Sequence, residues 1–209
     1  MKILAIGAHY DDVEIGCGGM LLKRAAQGDQ IFILSITDSG YNTPNNGVSR
    51  SADVAYQEAQ KAADIIGAEL ICLNKPTLHL IHNEEFAYEF DDVIQRTQPD
   101  VVLTHWGGDF HSDHAAVSLS SVRAARHIGT ILMYRSNWYS TETTFNGNYF
   151  VDISNYLEQK LELIKVYRSV LEPVDYSWID FIRKQNEYEG LRIGVRAAEC
   201  FSCIKAVEW

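Results

Sequence analysis

Short apolar runs alternate along the chain with segments of helical period. Lys2 to Ala8 is almost continuously apolar and reads as a first buried strand, Gly18 to Gln27 as a helix, and Gln30 to Thr37 as a second strand. A loop rich in turn formers, DSGYNTPNNG, follows. Ala52 to Ile66 then sets Ala55, Ala59, Ala62, Ala63 and Ile66 on one side of a helix that Gly67 stops. Leu70 to Leu73 is a short third strand, Glu84 to Thr97 a helix and Asp100 to Trp106 a fourth strand. Ala115 to His127 is helical and Thr130 to Tyr134 a strand. The last third carries an extended piece, Asn148 to Ile153, and two long polar helices around Tyr156 to Val170 and Trp178 to Arg196. Strands alternating with helices predict an α/β chain, a Rossmann-like sandwich with a mainly parallel sheet and a helical C-terminal region. No linker interrupts the 209 residues, so a single domain over 1–209 is expected.

Charge narrows the partners. With 28 acidic against 18 basic residues the formal charge is -10, which disfavours nucleic acid and anionic membrane surfaces and favours a small molecule. The longest apolar stretches, Ile3 to Ala8 and Ile31 to Ile36, fall far short of the roughly 20 residues that span a bilayer. The first of them meets Asp11 and Asp12 too soon for a signal segment, so a cytoplasmic protein is expected. Of the four cysteines, Cys17, Cys72, Cys200 and Cys203, only the last two form a Cys-x-x-Cys; it lacks the second pair a structural zinc site would use, so Cys200 and Cys203 read as two reduced residues near the core. Tyr176, Trp178, Phe181 and Tyr188 suit either internal packing or a subunit contact, which leaves a homo-oligomer open.

Two dense ionisable clusters remain. His9, Asp11, Asp12 and Glu14 follow the first strand, and Asp109, His111, Asp113 and His114 follow the fourth. In open sheets of this kind ligands bind beyond the carboxyl ends of strands, so both clusters belong on one rim. Desolvated carboxylates need a cation, and His-x-x-Asp with one distant His supplies the three ligands of an open catalytic zinc site. Asp11 and Asp12, adjacent in a loop, can diverge toward the metal and toward an attacking water. Either cluster alone also fits a satisfied polar residue or a helix N-cap, whereas the two together favour a site. Gly16-x-Gly18-Gly19 lacks the full dinucleotide pattern and follows acidic side chains that would repel a pyrophosphate; these glycines are expected to let the chain turn sharply.

The stretches AHYDDVEIGCGG and DFHSDHAA resemble the LmbE-like, or PIG-L, family of N-acetylglucosaminyl deacetylases, whose motifs read A-H-P-D-D-x-E and H-x-D-H. Ala52 to Gly67 resembles the family's Ala-rich helix, and GLRIGVRAAECF its C-terminal segment. The resemblance implies an LmbE-like fold and removal of an N-acetyl group, as acetate, from an N-acetylglucosamine-type amino sugar, glycoside or nucleotide sugar. It implies Zn2+, with Fe2+ or another divalent metal as substitutes, held by His9, Asp12 and His114. Asp11 would be the general base, His111 an oxyanion donor, Asp113 the partner that orients a histidine ring, and Glu14 a support for the ligand loop or the helix after it.

Two positions depart from the pattern. Tyr10 replaces a proline, which would loosen the loop or add a ring to the pocket wall. Asp109 stands where some members have an oxyanion-assisting tyrosine, so another part of the chain would have to supply that donor. Arg50 is a candidate substrate contact, and Ser39 to Asn46, Trp106 to Phe110 and Trp138 to Tyr149 offer aromatic and polar groups for a sugar. His79, His82, His105 and His127 read as structural or surface histidines, although His105 ends a strand beside the second cluster. The alternatives are a metal-dependent hydrolase of another amide or an ester, and a non-catalytic sugar- or nucleotide-binding protein.

Overall fold

Successive side chains of a strand point to opposite faces, so a strand apolar at every position belongs in the middle of a sheet covered on both sides. The computed structural model, which describes residues 1–42 and 49–208, places the chain's most apolar runs there. The order is β1 (Lys2–Gly7), α1 (Asp12–Ala26), β2 (Gln30–Thr37), β3 (Tyr41–Asn42), β4 (Ser49–Arg50), α2 (Ala52–Ile66), β5 (Glu69–Lys75), α3 (Glu84–Thr97) and β6 (Val101–His105). It continues through α4 (Ser112–Ala124), β7 (Thr130–Tyr134), β8 (Tyr149–Asp152), α5 (Leu157–Ile164), α6 (Arg168–Leu171), α7 (Ser177–Ile193) and β9 (Ala198–Lys205).

The seven-stranded sheet runs β5-β2-β1-β6-β7-β9-β8, parallel through β7 and antiparallel at β9 and β8. Ile3 and Ala5 of β1, with Ile31 and Ile33 of β2, meet α1 and α2 on one face. Leu4 and Ile6, with Phe32, Leu34 and Ile36, meet α3 and α4 on the other. A third apolar cluster joins Ile15 of α1 to Leu157, Leu161 and Ile164 of α5 and to Ile179 and Ile182 of α7. Among the described residues no helix is long and apolar enough to cross a membrane.

Local signals set several boundaries. The Ser51 hydroxyl accepts the Val54 amide at the start of α2, and Gly67, at φ 79°, closes it in the left-handed conformation that favours glycine. Asn83 caps α3 in the same way, accepting the Phe86 amide.

Three expectations are corrected. First, α1 begins at Asp12 rather than Gly18, so Gly16, Gly18 and Gly19 lie inside a helix and make no turn. They are there for clearance: a Cβ on Gly16 would sit 2.1 Å from the Tyr134 ring, and one on Gly19 2.8 Å from Ile153. Second, α4 begins at Ser112 rather than Ala115, which brings Asp113 and His114 into its first turn. Third, the C-terminal region ends in a strand. β9 slots between β7 and β8, and its Glu199 reaches across to α1 to accept hydrogen bonds from the amides of Gly19 (2.8 Å) and Met20 (2.7 Å). Lys160 of α5 completes that acceptor at 2.7 Å, and both side chains are only 1% exposed. All four cysteines are free, Cys17 buried and the others half-buried.

Candidate metal and catalytic site

The sheet order reverses between β1 and β6: the chain leaves β1 toward β2 on one side and returns to β6 on the other. Such a switch point opens a crevice at the carboxyl ends of the two strands. β1 and β6 are adjacent and parallel, with Ile3 opposite Val101, so the loops that follow them face one another. The two ionisable clusters therefore meet. Asp11, at φ 114°, holds a backbone conformation that side chains rarely adopt and hands the chain into α1 at Asp12.

Donor atoms of three residues converge from these loops. His9 Nδ1 lies 3.3 Å from Asp12 Oδ2, His114 Nε2 lies 3.2 Å from Asp12 Oδ1, and the two ring nitrogens are 3.3 Å apart. Metal bonds of about 2.0–2.1 Å at tetrahedral angles put neighbouring donor atoms about 3.3–3.4 Å apart, so this trio fits a divalent ion. The far nitrogen of each ring is held by a carboxylate: His9 Nε2 by Asp113 and His114 Nδ1 by Asp109, each at 3.0 Å. That leaves His9 Nδ1 and His114 Nε2 as the inward ends, the arrangement metal-binding histidines require. The carboxylates are themselves anchored. Asp113 accepts the amides of Leu78 (2.7 Å) and Leu80 (3.2 Å), Asp109 accepts the His111 amide (2.8 Å) and a hydrogen bond from Asn137, and Asp12 accepts the His9 amide (2.7 Å) and the Ser136 hydroxyl (2.9 Å).

Two other metal-capable triads share His114: His9 and His111 complete one, Asp12 and His105 the other. His105 is thus not a bystander. It is fully buried, stacked on His114 with ring centroids 4.0 Å apart, and its Nε2 accepts the Ala8 amide at 3.0 Å. An amide pointing at Nε2 places the ring proton on Nδ1, so Nε2 is already engaged and His105 serves as a floor beneath His114. Burial and the neighbouring His114 press its pKa down to about 4, which keeps it neutral.

Electrostatics divide the remaining groups. Burial works against charge on His9 and His114, yet Asp113 and Asp12 hold His9 up at about 9, and Asp12 with Asp109 holds His114 up at about 10. Asp12 goes the other way: burial opposes its charge, but His114 keeps it ionised well below the usual carboxylate range. In the metal-free fold protons neutralise the pocket's negative charge. Asp11, by contrast, is pushed up to about 7 by burial and by Asp12, with Arg50 pulling the other way. Burial, then His114 and His9, lower the His111 pKa, so that ring is neutral near pH 7.

Asp11, Asp12, His9, His111, His114 and Arg50 all line one cavity of about 510 Å³. Arg50 is buried and pairs with Glu58 at 3.2 Å, while its Nε has no partner among the described residues. Glu14 stays out of the cavity, buried against Tyr167 inside α1, and burial lifts its pKa to about 7. The Tyr10 ring is not part of the cavity lining: its amide donates to Ser39 at 2.8 Å and its buried ring packs against Tyr56. Of the loops expected to face a sugar, Ser39, Tyr41, Trp138 and Tyr139 line the cavity, whereas Trp106 packs on Phe145. Residues 43–46 of that first loop lie outside the described residues. Ser136, Asn137, Leu78, Val170 and Trp178 also line it, with Ile15 and Thr77, without having been singled out as pocket residues from the sequence; only the proximity of Ser136 and Asn137 to a strand end hinted at them.

Fold and pocket together define a Rossmann-like α/β protein whose switch-point crevice holds a His/Asp cluster that fits a divalent metal. The chain belongs to the PIG-L family, described as GlcNAc-PI de-N-acetylase, which matches residues 4–125. It is 30% identical over 216 residues to a diacetylchitobiose deacetylase of Thermococcus kodakarensis, covering 95% of this chain and 81% of that protein. It is 35% identical over 176 residues to the uncharacterized deacetylase YaiS of Escherichia coli, covering 80% and 90%. Its fold superposes on the N,N'-diacetylchitobiose deacetylase from Pyrococcus horikoshii with a TM-score of 0.83 at 24% identity, over 97% of this chain and 83% of the other.

Proposed function

We propose that this chain is a metal-dependent N-deacetylase that hydrolyses the acetamide of an N-acetylglucosamine-type sugar or glycoside, with zinc held by His9, Asp12 and His114. The observation that carries the assignment is that His9 Nδ1 and His114 Nε2 lie 3.3 Å apart and each 3.2 to 3.3 Å from one oxygen of the Asp12 carboxylate, in a cavity that also holds Asp11 and His111. Two imidazoles and one carboxylate are a donor set that zinc hydrolases use. A divalent metal bound there would polarise the acetamide carbonyl and ease the deprotonation of water.

The chain's own groups supply the rest. Asp11, poised near 7, takes the proton of the water that attacks the acetamide carbon and returns it to the nitrogen as the C–N bond breaks, so acetate and a free amine leave. His111 receives the Asp113 amide at its Nδ1 (3.2 Å), so its proton sits on Nε2 as a neutral donor for the developing oxyanion. Asp109, committed as an acceptor to His114 and Asn137, takes no part in that donation.

The test is elemental analysis of the wild type and His114→Ala side by side, with acetate release measured on a panel of acetamido sugars. The expected result is about one divalent ion per chain, lost in the variant together with activity. Metal-replete wild type that releases no acetate from any sugar of the panel sinks the assignment. Comparable release of larger acyl groups would widen it to a general amidase.

A further inference from the structure

Two of the side chains that steady the His/Asp cluster come from neither ionisable stretch. Ser136 and Asn137 follow β7, which pairs in parallel with β6, Tyr134 opposite His105, so its carboxyl end opens on the same rim. That end is firmly anchored. Tyr134 is fully buried, its carbonyl accepts the Trp106 amide at 2.7 Å, its hydroxyl donates to the Ile6 carbonyl at 2.7 Å, and its ring centroid lies 4.9 Å from that of His105. A side chain two residues beyond such an anchor has little freedom, which is what the support of a metal ligand requires.

Ser136 serves Asp12. It is 6% exposed and donates to Asp12 Oδ1 at 2.9 Å, while Asp12 Oδ2 accepts the His9 amide at 2.7 Å. One donor on each oxygen fixes the plane of the carboxylate. Without Ser136 only Oδ2 keeps its donor, and the group can turn about its Cβ–Cγ bond, a torsion with no sharp preference of its own.

Asn137 serves His114 at one remove. Its side-chain oxygen accepts the Tyr139 amide at 3.3 Å, which turns its nitrogen toward Asp109, where it donates to Oδ1. The same oxygen of Asp109 takes the His111 amide at 2.8 Å, and the other, Oδ2, holds His114 Nδ1 at 3.0 Å. Neighbouring residues of one segment thus reach a carboxylate ligand and, through Asp109, a histidine ligand from a different loop. The chain then runs directly into Trp138 and Tyr139, which line the cavity.

We propose that Ser136 and Asn137 are positioning residues for the metal, Ser136 by fixing the Asp12 carboxylate and Asn137 by fixing Asp109 behind the His114 ring. Their role rests on the ligand set of the deacetylase assignment but is read without substrate. Because the two side chains hold separate ligands, their effects on metal affinity should multiply.

The experiment measures the zinc affinity of the full chain by competition with a chelator, and the visible spectrum of its cobalt-loaded form, which reports the geometry around the ion. Ser136→Ala and Asn137→Leu are each expected to weaken zinc about 10–100-fold and to shift the cobalt bands, and the double variant to lose about the product of the two. Ser136→Thr, which keeps the hydroxyl, is expected to restore most of the affinity. Should Ser136→Ala fail to fold, Ser136→Cys, with only a weak donor, is expected to show the same loss.

Single variants with the zinc affinity and cobalt spectrum of the wild type, whatever their melting temperature, overturn the proposal, since the two side chains would then hold the segment and not the ligands. A double variant no weaker than the worse single one would reveal one shared displacement and overturns the separate roles. Zinc binding that both substitutions weaken, without acetate release from any acetamido sugar, leaves the positioning roles standing and overturns the deacetylase assignment. A wild type that takes up no metal overturns both.

Discussion

The two ends of the pocket are built on different principles. At the ionisable end every group sits on or directly after the carboxyl end of β1 or β6, and its geometry follows from two adjacent parallel strands. At the aromatic end Trp138 follows β7, Trp178 opens α7, and the two meet only because a third apolar cluster packs the C-terminal helices against α1. Chemistry is therefore set by short-range spacing on a rigid frame, whereas the shape of the wall depends on tertiary packing.

The strongest way to break that division is at Asp11. Asp11→Asn keeps the shape of the side chain but removes the proton acceptor, so kcat should fall about 10²–10⁴-fold with metal content unchanged. Loss of the metal instead would make Asp11 a ligand. On the packing side, Lys160→Met leaves Glu199 buried without its cation, and denaturant unfolding should show a loss of about 3–5 kcal/mol. A change under about 1 kcal/mol would show that the pair does not hold β9 to α1.

Asp113→Asn probes the seam between the two ends, because one carboxylate steadies both His9 and the Leu78 loop. Metal affinity should weaken about 10–100-fold, read by competition with a chelator. An unchanged affinity would mean that the His9 ring is positioned by packing alone. The smallest effect is thermal. His9 at about 9 and His114 at about 10 lie above the ordinary histidine value of about 6.5, so each contributes stability that is whole below pH 6.5 and lost as pH rises through 9 to 10. The melting temperature of metal-free protein should decline from pH 7 to 10, while that of metal-loaded protein stays nearly level over the same window. Parallel curves would rule out protonated histidines as the resting state of the metal-free pocket.

Much of this was legible beforehand. The limits of β2, α2, α3 and β7 follow from apolar period and caps and agree with the sequence to the residue. The helix starts at Asp12 and Ser112 were hidden because the first turns of α1 and α4 carry the ionisable clusters, where polar side chains mask the helical period. β9 was hidden for a related reason. Glu199 breaks its apolar pattern, and nothing local to the sequence announces that Lys160 and two amides of α1 satisfy that carboxylate. His105 stood out only by ending a strand beside the second cluster, because its role lies in the rings it touches, and those come from residues not adjacent in sequence.

The Glu199 contact also sets an order of events during synthesis. The helix that begins with Asp12 is the second element to be made, yet the carboxylate that meets its amides arrives 180 residues later. At translation rates of about 5–20 residues per second, the nascent catalytic helix waits on the order of 10–40 s for that partner. Until residue 199 has been made, the strand carrying the acceptor is missing and the face of α1 it covers is open to other contacts. A ribosome-bound chain short of β9 therefore has the first helix in place but not the carboxylate that meets two of its amides.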